Sequence, residues 1–140
     1  MITQLHPEEA RALLRAGKLG RLGCIAEGEP YVIPVNYLFE GDLIYIHSLP
    51  GRKITALRAH PRACLQVDEI KDAFNWQSVL ASGTYEEITD LHERERILCA
   101  LFARLPHLTP VESAMTQTTG LAETIIFRLR IDTITGLSEK

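Results

Sequence analysis

The sequence predicts a mainly β protein: a six-stranded, partly closed antiparallel barrel with peripheral helices. Three observations carry this. Runs rich in Val, Ile and Tyr are separated by short turn signals, "EGEP" and "EGD", which is hairpin grammar. The order helix, three strands, helix, two strands, helix, strand lacks the regular alternation that parallel βαβ winding requires. Six strands with few covering helices would leave bare edges, and closure into a barrel removes them.

The first helix is predicted over residues 6–16. Pro7 stands near N1, Glu8 and Glu9 fill the first turn, Arg15 the last, and Gly17 follows, each where helix ends favour that residue type. Strands follow over "RLGCIAE", "EPYVIPVNYLFE" and "DLIYIHS", expected as an antiparallel meander. Pro34 lies inside the second run, and its missing donor requires an edge or a bulge. A helix over 51–60 leads into "RACLQVDEI" and then "WQSVLASGTYEEI", which is long enough to bend at Gly83. Asp90 opens the third helix as a cap, with Glu93 at the N3 position of a capping box. Ile97, Leu98, Leu101, Phe102 and Leu105 form its apolar stripe. The Thr- and Pro-rich stretch 106–122 reads as loop, and "ETIIFRLRIDTITG" as the last strand.

At 140 residues, 46% of them hydrophobic, the chain is expected to be one globular domain over 1–140. A formal charge of −3 with scattered cations argues against a nucleic-acid binder, while leaving room for a site that takes one small anion. No apolar run reaches membrane-span length, and the N-terminal stretch is an acid-opened helix, so no membrane partner and a cytoplasmic location are expected. Cys24, Cys64 and Cys99 are odd in number, widely spaced and set in apolar segments. That pattern describes buried free thiols in a reducing compartment.

"HSLPGRKITALRAHP" is the most informative stretch. Arg52 and Lys53 fall in the first turn of the predicted helix, where the dipole is already positive and free N–H groups point outward. A cation there costs roughly 0.3–1 kcal/mol, and a bound dianion reverses the sign. Ser48, the N–H groups near Gly51, Arg52 and Lys53 together offer a phosphate hydroxyl, amide and cationic donors. The alternative is that both cations simply extend into water. The P-loop spacing fails, because position 46 is Ile rather than Gly. The glycines at 17, 20 and 23 follow a helix instead of a strand, so they are no dinucleotide fingerprint. No CxxC, HExxH or paired-His spacing exists, and no metal is expected. His47 could serve as an acid/base group, an axial ligand to haem, or a hydrogen-bonding residue. Trp76 fills either core or interface, Tyr31, Tyr37 and Tyr45 read as ordinary strand residues, and Asp68 and Glu69 read as solvated residues at a strand end.

Taken together, "GRLGCIA", "YVIPVNYLFEGDLIYIHSLPGRKITALRAHPRACLQVDE" and "WQSVLASGTYEEI" resemble the FMN-binding split-barrel family. More narrowly they resemble its pyridoxamine 5'-phosphate oxidase-like branch that includes nitroimidazole-resistance proteins. The resemblance implies a homodimer with FMN between the subunits. It places Ser48, Arg52 and Lys53 at the phosphate with His47 nearby, and Ile33, Pro34, Val35 and Asn36 along the isoalloxazine ring. Trp76 and Ser78 would come from the partner subunit. The last strand lacks the Trp- and Arg-containing segment that grips the vitamin phosphate in the B6 oxidases, with Arg128 and Arg130 as a faint echo, which points away from pyridoxamine phosphate as substrate. The expected function is an FMN-dependent oxidoreductase that reduces small aromatic or nitro compounds with a reduced nicotinamide. The alternatives are a haem protein with His47 as axial ligand, a deazaflavin protein, or a non-enzymatic flavin binder.

Overall fold

The computed structural model describes residues 1–104 and 124–140; Leu105, the expected loop 106–122 and residue 123 of the last run lie outside them. In chain order the elements are β1 (Ile2–Gln4), α1 (Pro7–Ala16), β2 (Leu19–Ala26), β3 (Glu29–Asn36), β4 (Leu38–Glu40) and β5 (Leu43–Ser48). They continue with α2 (Arg52–Ala59), β6 (Arg62–Asp72), β7 (Asn75–Glu87), α3 (Leu91–Arg104) and β8 (Ile125–Glu139). The strands form one antiparallel sheet in the order β3-β2-β6-β7-β8-β5-β4, with β1 paired to β8. The mainly β, antiparallel class is as expected. No helix among the described residues is long and apolar enough to cross a membrane.

The sheet has two strands more than the six expected, and one has a structural cause. The run 29–40 is not continuous, because Tyr37 leaves the ladder. Its N–H donates to the Lys18 carbonyl at 3.0 Å and its buried hydroxyl donates to the Leu14 carbonyl at 2.5 Å. β3 and β4 therefore stand at opposite ends of the strand order with a single residue between them, and the chain itself joins the two ends of the sheet. The expected meander is interrupted accordingly: β3 ladders with β2, whereas β5 takes β8 as its second neighbour. Gly17 lies beneath the tyrosine, where an added Cβ would stand 2.3 Å from the hydroxyl. Arg104 donates to the Gly17 carbonyl at 2.6 Å, so the C-terminal end of α1 is satisfied from two directions.

Alternation sorts the side chains. Ile44 and Ile46 of β5 join Leu22, Leu65, Phe127 and Leu129 in the main core, which Ile54 and Leu57 of α2 close. Tyr45, on the other face of β5, packs with Ile97, Leu98 and Leu101 of α3 in a second cluster. Asp90 caps α3 as expected, accepting from the Glu93 N–H at 2.9 Å, while the Glu93 carboxylate takes Arg128 at 3.1 Å. Of the three thiols expected to be buried, Cys24 is, Cys64 is half-buried and Cys99 is exposed, the last because it falls outside the arc that carries Ile97, Leu98 and Leu101 into the core. β6 runs past Ile70 to Asp72, so Asp68 is a strand residue rather than a solvated strand end. At Gly83 the register slips by one: Ser82 faces Thr133 and Gly83 faces Ile131, which leaves Asp132 as a bulge. A Cβ at Gly83 would stand 2.3 Å from the Arg130 carbonyl, so the bend needs glycine. The bulged Asp132 accepts from Arg62 at 2.5 Å.

Two stability outcomes follow. Tyr37→Phe strands the Leu14 carbonyl and should cost about 1–3 kcal/mol, read as a lower midpoint in urea unfolding. Glu27 holds φ of 53° in the β2–β3 turn, a conformation that asparagine tolerates better. Glu27→Asn should therefore raise stability by roughly 0.5–1 kcal/mol in the same assay.

Candidate functional site

The site is built around the start of α2. Arg52 and Lys53 are its first two residues, with no acidic residue in the first turn and no side-chain cap. The Lys53 ammonium donates to the Ser48 hydroxyl, and that hydroxyl, buried at the end of β5, donates to the Leu49 carbonyl at 2.8 Å. Arg52 lies with its guanidinium 4.8 Å over the Tyr31 ring. Burial lowers the Lys53 pKa, opposed by the nearby Cys24 thiol. Burial raises the Cys24 pKa, with a smaller rise from Cys64 and opposing pulls from Arg52 and Lys53. Two cations, a hydroxyl and free helix N–H groups thus converge beside β2.

Neither cation has a carboxylate partner among the described residues. The ion pairs engage Arg11, Arg21, Arg58, Arg62, Arg96, Arg128 and Arg130 instead. The helix is held from its other end: Arg58 donates to Glu87 Oε1 at 2.5 Å, and the Tyr85 hydroxyl donates to the same oxygen at 2.6 Å. Those bonds pull the Glu87 carboxyl below its ordinary pKa, Arg58 more than Tyr85.

Ile33, Pro34, Val35 and Asn36 all lie in β3, opposite Leu22, Arg21, Gly20 and Leu19 of β2. β3 ends the strand order, so its second edge has no ladder partner among the described residues. That satisfies the edge requirement read from Pro34 and leaves backbone polar groups for a ligand. Tyr31 and Ile33 pack against the core on the same face.

His47 and Ser48 are neighbours in β5 and point to opposite faces. Ser48 meets Lys53, whereas the His47 ring stands edge-on to Phe102 of α3 at 5.3 Å between centroids. Trp76 and Ser78 lie elsewhere again. Along β7, Ser82 shares a row with Cys64 and Gly23, next to Cys24, and Trp76 is six positions further on (82 minus 76). At the rise of an antiparallel strand this is about 20 Å. One chain does not bring Trp76 to Lys53.

Three residues near these groups escaped the sequence reading. Tyr31 precedes Ile33 and Val35 at spacing two, a signal that it shares their face. Gln66 and Arg21 carry no local signal, since only strand register joins them. Arg21 donates to Gln66 Oε1 at 3.1 Å and to Asp68 at 2.9 Å, and Gln66 Nε2 donates to Asp68 at 3.0 Å and to the Ser78 hydroxyl at 2.9 Å. Among the described residues, no group of three or more His, Cys, Asp or Glu could hold a metal ion.

A family profile described as pyridoxamine 5'-phosphate oxidase matches residues 6–138. The chain belongs to the pyridoxamine 5'-phosphate oxidase-like family. An FAD-binding protein from Mesorhizobium loti is similar across 100% of this chain and 99% of its own, with a TM-score of 0.81 at 31% identity. A proposed 5-nitroimidazole antibiotic resistance protein from Bacteroides thetaiotaomicron has a TM-score of 0.78 at 20% identity, over 99% of this chain and 87% of its own. That second likeness is one of fold. An uncharacterized protein of Rhizobium meliloti (strain 1021) is 33% identical over 138 residues, 92% of this chain and 89% of its own length. The split-barrel fold implied by the sequence is thus shared with solved structures over the whole chain.

The uncompensated cation gives this family member a testable signature. Lys53→Met keeps the stem and removes a half-buried charge that has no carboxylate partner. The ligand-free protein should be as stable as the parent, or more stable by up to about 1 kcal/mol, in urea unfolding. A loss beyond about 2 kcal/mol would mean that Lys53 serves the fold instead of a ligand.

Proposed function

We propose that the chain is a flavin-binding oxidoreductase that works as a homodimer and takes FMN by its phosphate at Ser48, Arg52 and Lys53. The single observation that carries this reading is the half-buried Lys53 ammonium. It donates to a buried hydroxyl at a helix start and has no carboxylate among the described residues. A phosphate dianion supplies the missing charge and accepts from the helix N–H groups. The unladdered edge of β3 at Ile33–Asn36 offers backbone donors and acceptors to the ring. The FAD-binding relative from Mesorhizobium loti supports a flavin in this family.

The dimer is supported by the spacing along β7, where Trp76 stands about 20 Å from the row of Cys64 and Gly23 beside the α2 start, and by the outer face of the sheet. Leu19, Ile25, Val32 and Leu80 are exposed on the outward positions of β2, β3 and β7, a patch suited to a second copy. A twofold arrangement would bring Trp76 and Ser78 of one subunit to the α2 start of the other. A bound flavin supplies hydride and electron transfer without a dedicated triad, and the substrates in this reading are small aromatic or nitro compounds with a reduced nicotinamide as donor. Arg128 and Arg130 are both tied to Glu86, at 2.9 and 3.1 Å, which leaves them poorly placed to grip a vitamin phosphate. His47 sits on the opposite face of β5 from the phosphate donors, beside Phe102, so a haem held by it would occupy a separate site.

The test is the absorbance spectrum of the purified protein, the mass of any group released on denaturation, and titration with FMN and FAD. The expected result is a yellow protein, with affinity falling about 10- to 100-fold in Lys53→Ala; mass separates FMN, FAD and a deazaflavin. A colourless protein that binds neither flavin overturns the reading. The pH dependence has a definite sign. The phosphate favours protonated Lys53, whose pKa in the free protein is lowered by burial. Affinity should be full below that depressed pKa and decline as pH rises through it, earlier than an exposed lysine near 10.4 would allow.

A further inference from the structure

Outside the α2 start, a chain of four hydrogen bonds crosses β2, β6 and β7 on the outer face. Its direction can be read without ambiguity. A guanidinium only donates, so the Gln66 atom facing Arg21 at 3.1 Å is the amide oxygen. The amide nitrogen must then be the atom that faces Asp68 and Ser78, and its two protons are used by the contacts at 3.0 and 2.9 Å. Asp68 accepts from both Arg21 and Gln66 and holds the amide in this orientation. The Ser78 hydroxyl is therefore an acceptor toward Gln66, and its own proton is directed away from the network. Gln66 is half-buried, and the two contacts of its amide nitrogen are part-buried, while the Arg21 contacts lie at the surface.

We infer that Gln66, fixed by Arg21 and Asp68, is a positioning residue that obliges Ser78 to act as a hydrogen-bond donor to the flavin held by the other subunit. This rests on the flavin-binding dimer proposed above. Ser78 could in principle donate or accept; the relay removes that choice. A donor aimed at a ring oxygen favours the reduced ring, which is richer in electrons, over the oxidised one. The relay thus tunes the bound cofactor without touching it.

The substitution that reverses the direction at unchanged size is Gln66→Glu, and because it also sets a new carboxylate beside Asp68 it is made both in the parent and in Ser78→Ala. It keeps size and shape, but a carboxylate only accepts, so Ser78 turns its proton inward and is lost to the flavin although the residue is still present. Proteins reconstituted with FMN are compared by midpoint potential, visible spectrum and FMN affinity, with subunit assembly followed by light scattering. Ser78→Ala and Gln66→Glu should both lower the preference for reduced over oxidised flavin by about tenfold, which is a fall of about 30 mV for a two-electron couple. Gln66→Met, which frees Ser78 to rotate, should fall between them and the parent. If the parent binds FMN but the potential and spectrum of Gln66→Glu match the parent's in an intact dimer, this inference is wrong and the flavin reading stands. If Gln66→Glu and Gln66→Met shift the potential equally, or if Gln66→Glu shifts it as far again in the Ser78→Ala background, the effect is packing or added charge and the directional relay is wrong. If the parent binds no flavin, both fall.

Discussion

The buried hydroxyl of Tyr37 on the Leu14 carbonyl is the constraint from which the rest of the architecture follows. A tyrosine with 1% of its surface exposed must place its O–H on an acceptor, because an unmet hydroxyl in an apolar core costs more than the bond gains. The acceptor it takes is one of the last carbonyls of α1, which a helix end leaves free. Burial pushes its pKa up to about 12, so the proton stays on the oxygen and the bond keeps its direction at any ordinary pH. Satisfying that one group lifts the chain out of the ladder between Asn36 and Leu38. The strands on either side then separate to the two ends of the sheet. β5, no longer flanked by β3, pairs with β8, and its last residue, Ser48, turns inward beneath the start of α2.

The opposition between dipole and charge at α2 is resolved by magnitudes. Two cations against the helix dipole cost roughly 0.3–1 kcal/mol each. Burying Ile54 and Leu57 gains roughly 1.5–3 kcal/mol apiece, and both are essentially inaccessible. Packing therefore fixes the helix, and the Arg58–Glu87–Tyr85 contacts pin its far end to β7. The charge at the near end is free to be set by something other than folding. This is the pattern of a site in which local cost is tolerated because the surrounding structure determines the conformation.

Residue types alone disclosed the strand runs other than β1, the ends of α1 and α3, and an edge or a bulge at Pro34, since turn chemistry, capping spacing and the missing proline donor are local properties. The break at Tyr37 was not disclosed, because tyrosine has high β propensity and its departure depends on a carbonyl contributed by a helix over twenty residues earlier. Cys99 was misjudged for a simpler reason: an apolar neighbourhood in sequence is not the same as an inward position on a helix of 3.6 residues per turn. The opposite facing of His47 and Ser48 was readable in advance from strand alternation. The Arg21–Gln66–Ser78 chain was not, since its members are joined only by the register of three strands.

The two faces of the sheet divide the chemistry. The inward face and the end of β5 present the cations and the hydroxyl, while the outward face presents Ser78, with its proton direction set by Gln66. A strand separates its alternating residues by side and its successive rows by about 3.4 Å, so no local rearrangement of one barrel unites positions 53 and 76–78. An isologous twofold contact, as proposed, would unite them, and would do so twice, because each surface that gives also receives. Under the proposed reading, Lys53 and Ser78 are far apart in one chain because the reacting ligand is meant to be enclosed by two. Under that reading cofactor binding and subunit association would be thermodynamically linked, each favouring the other by the same factor.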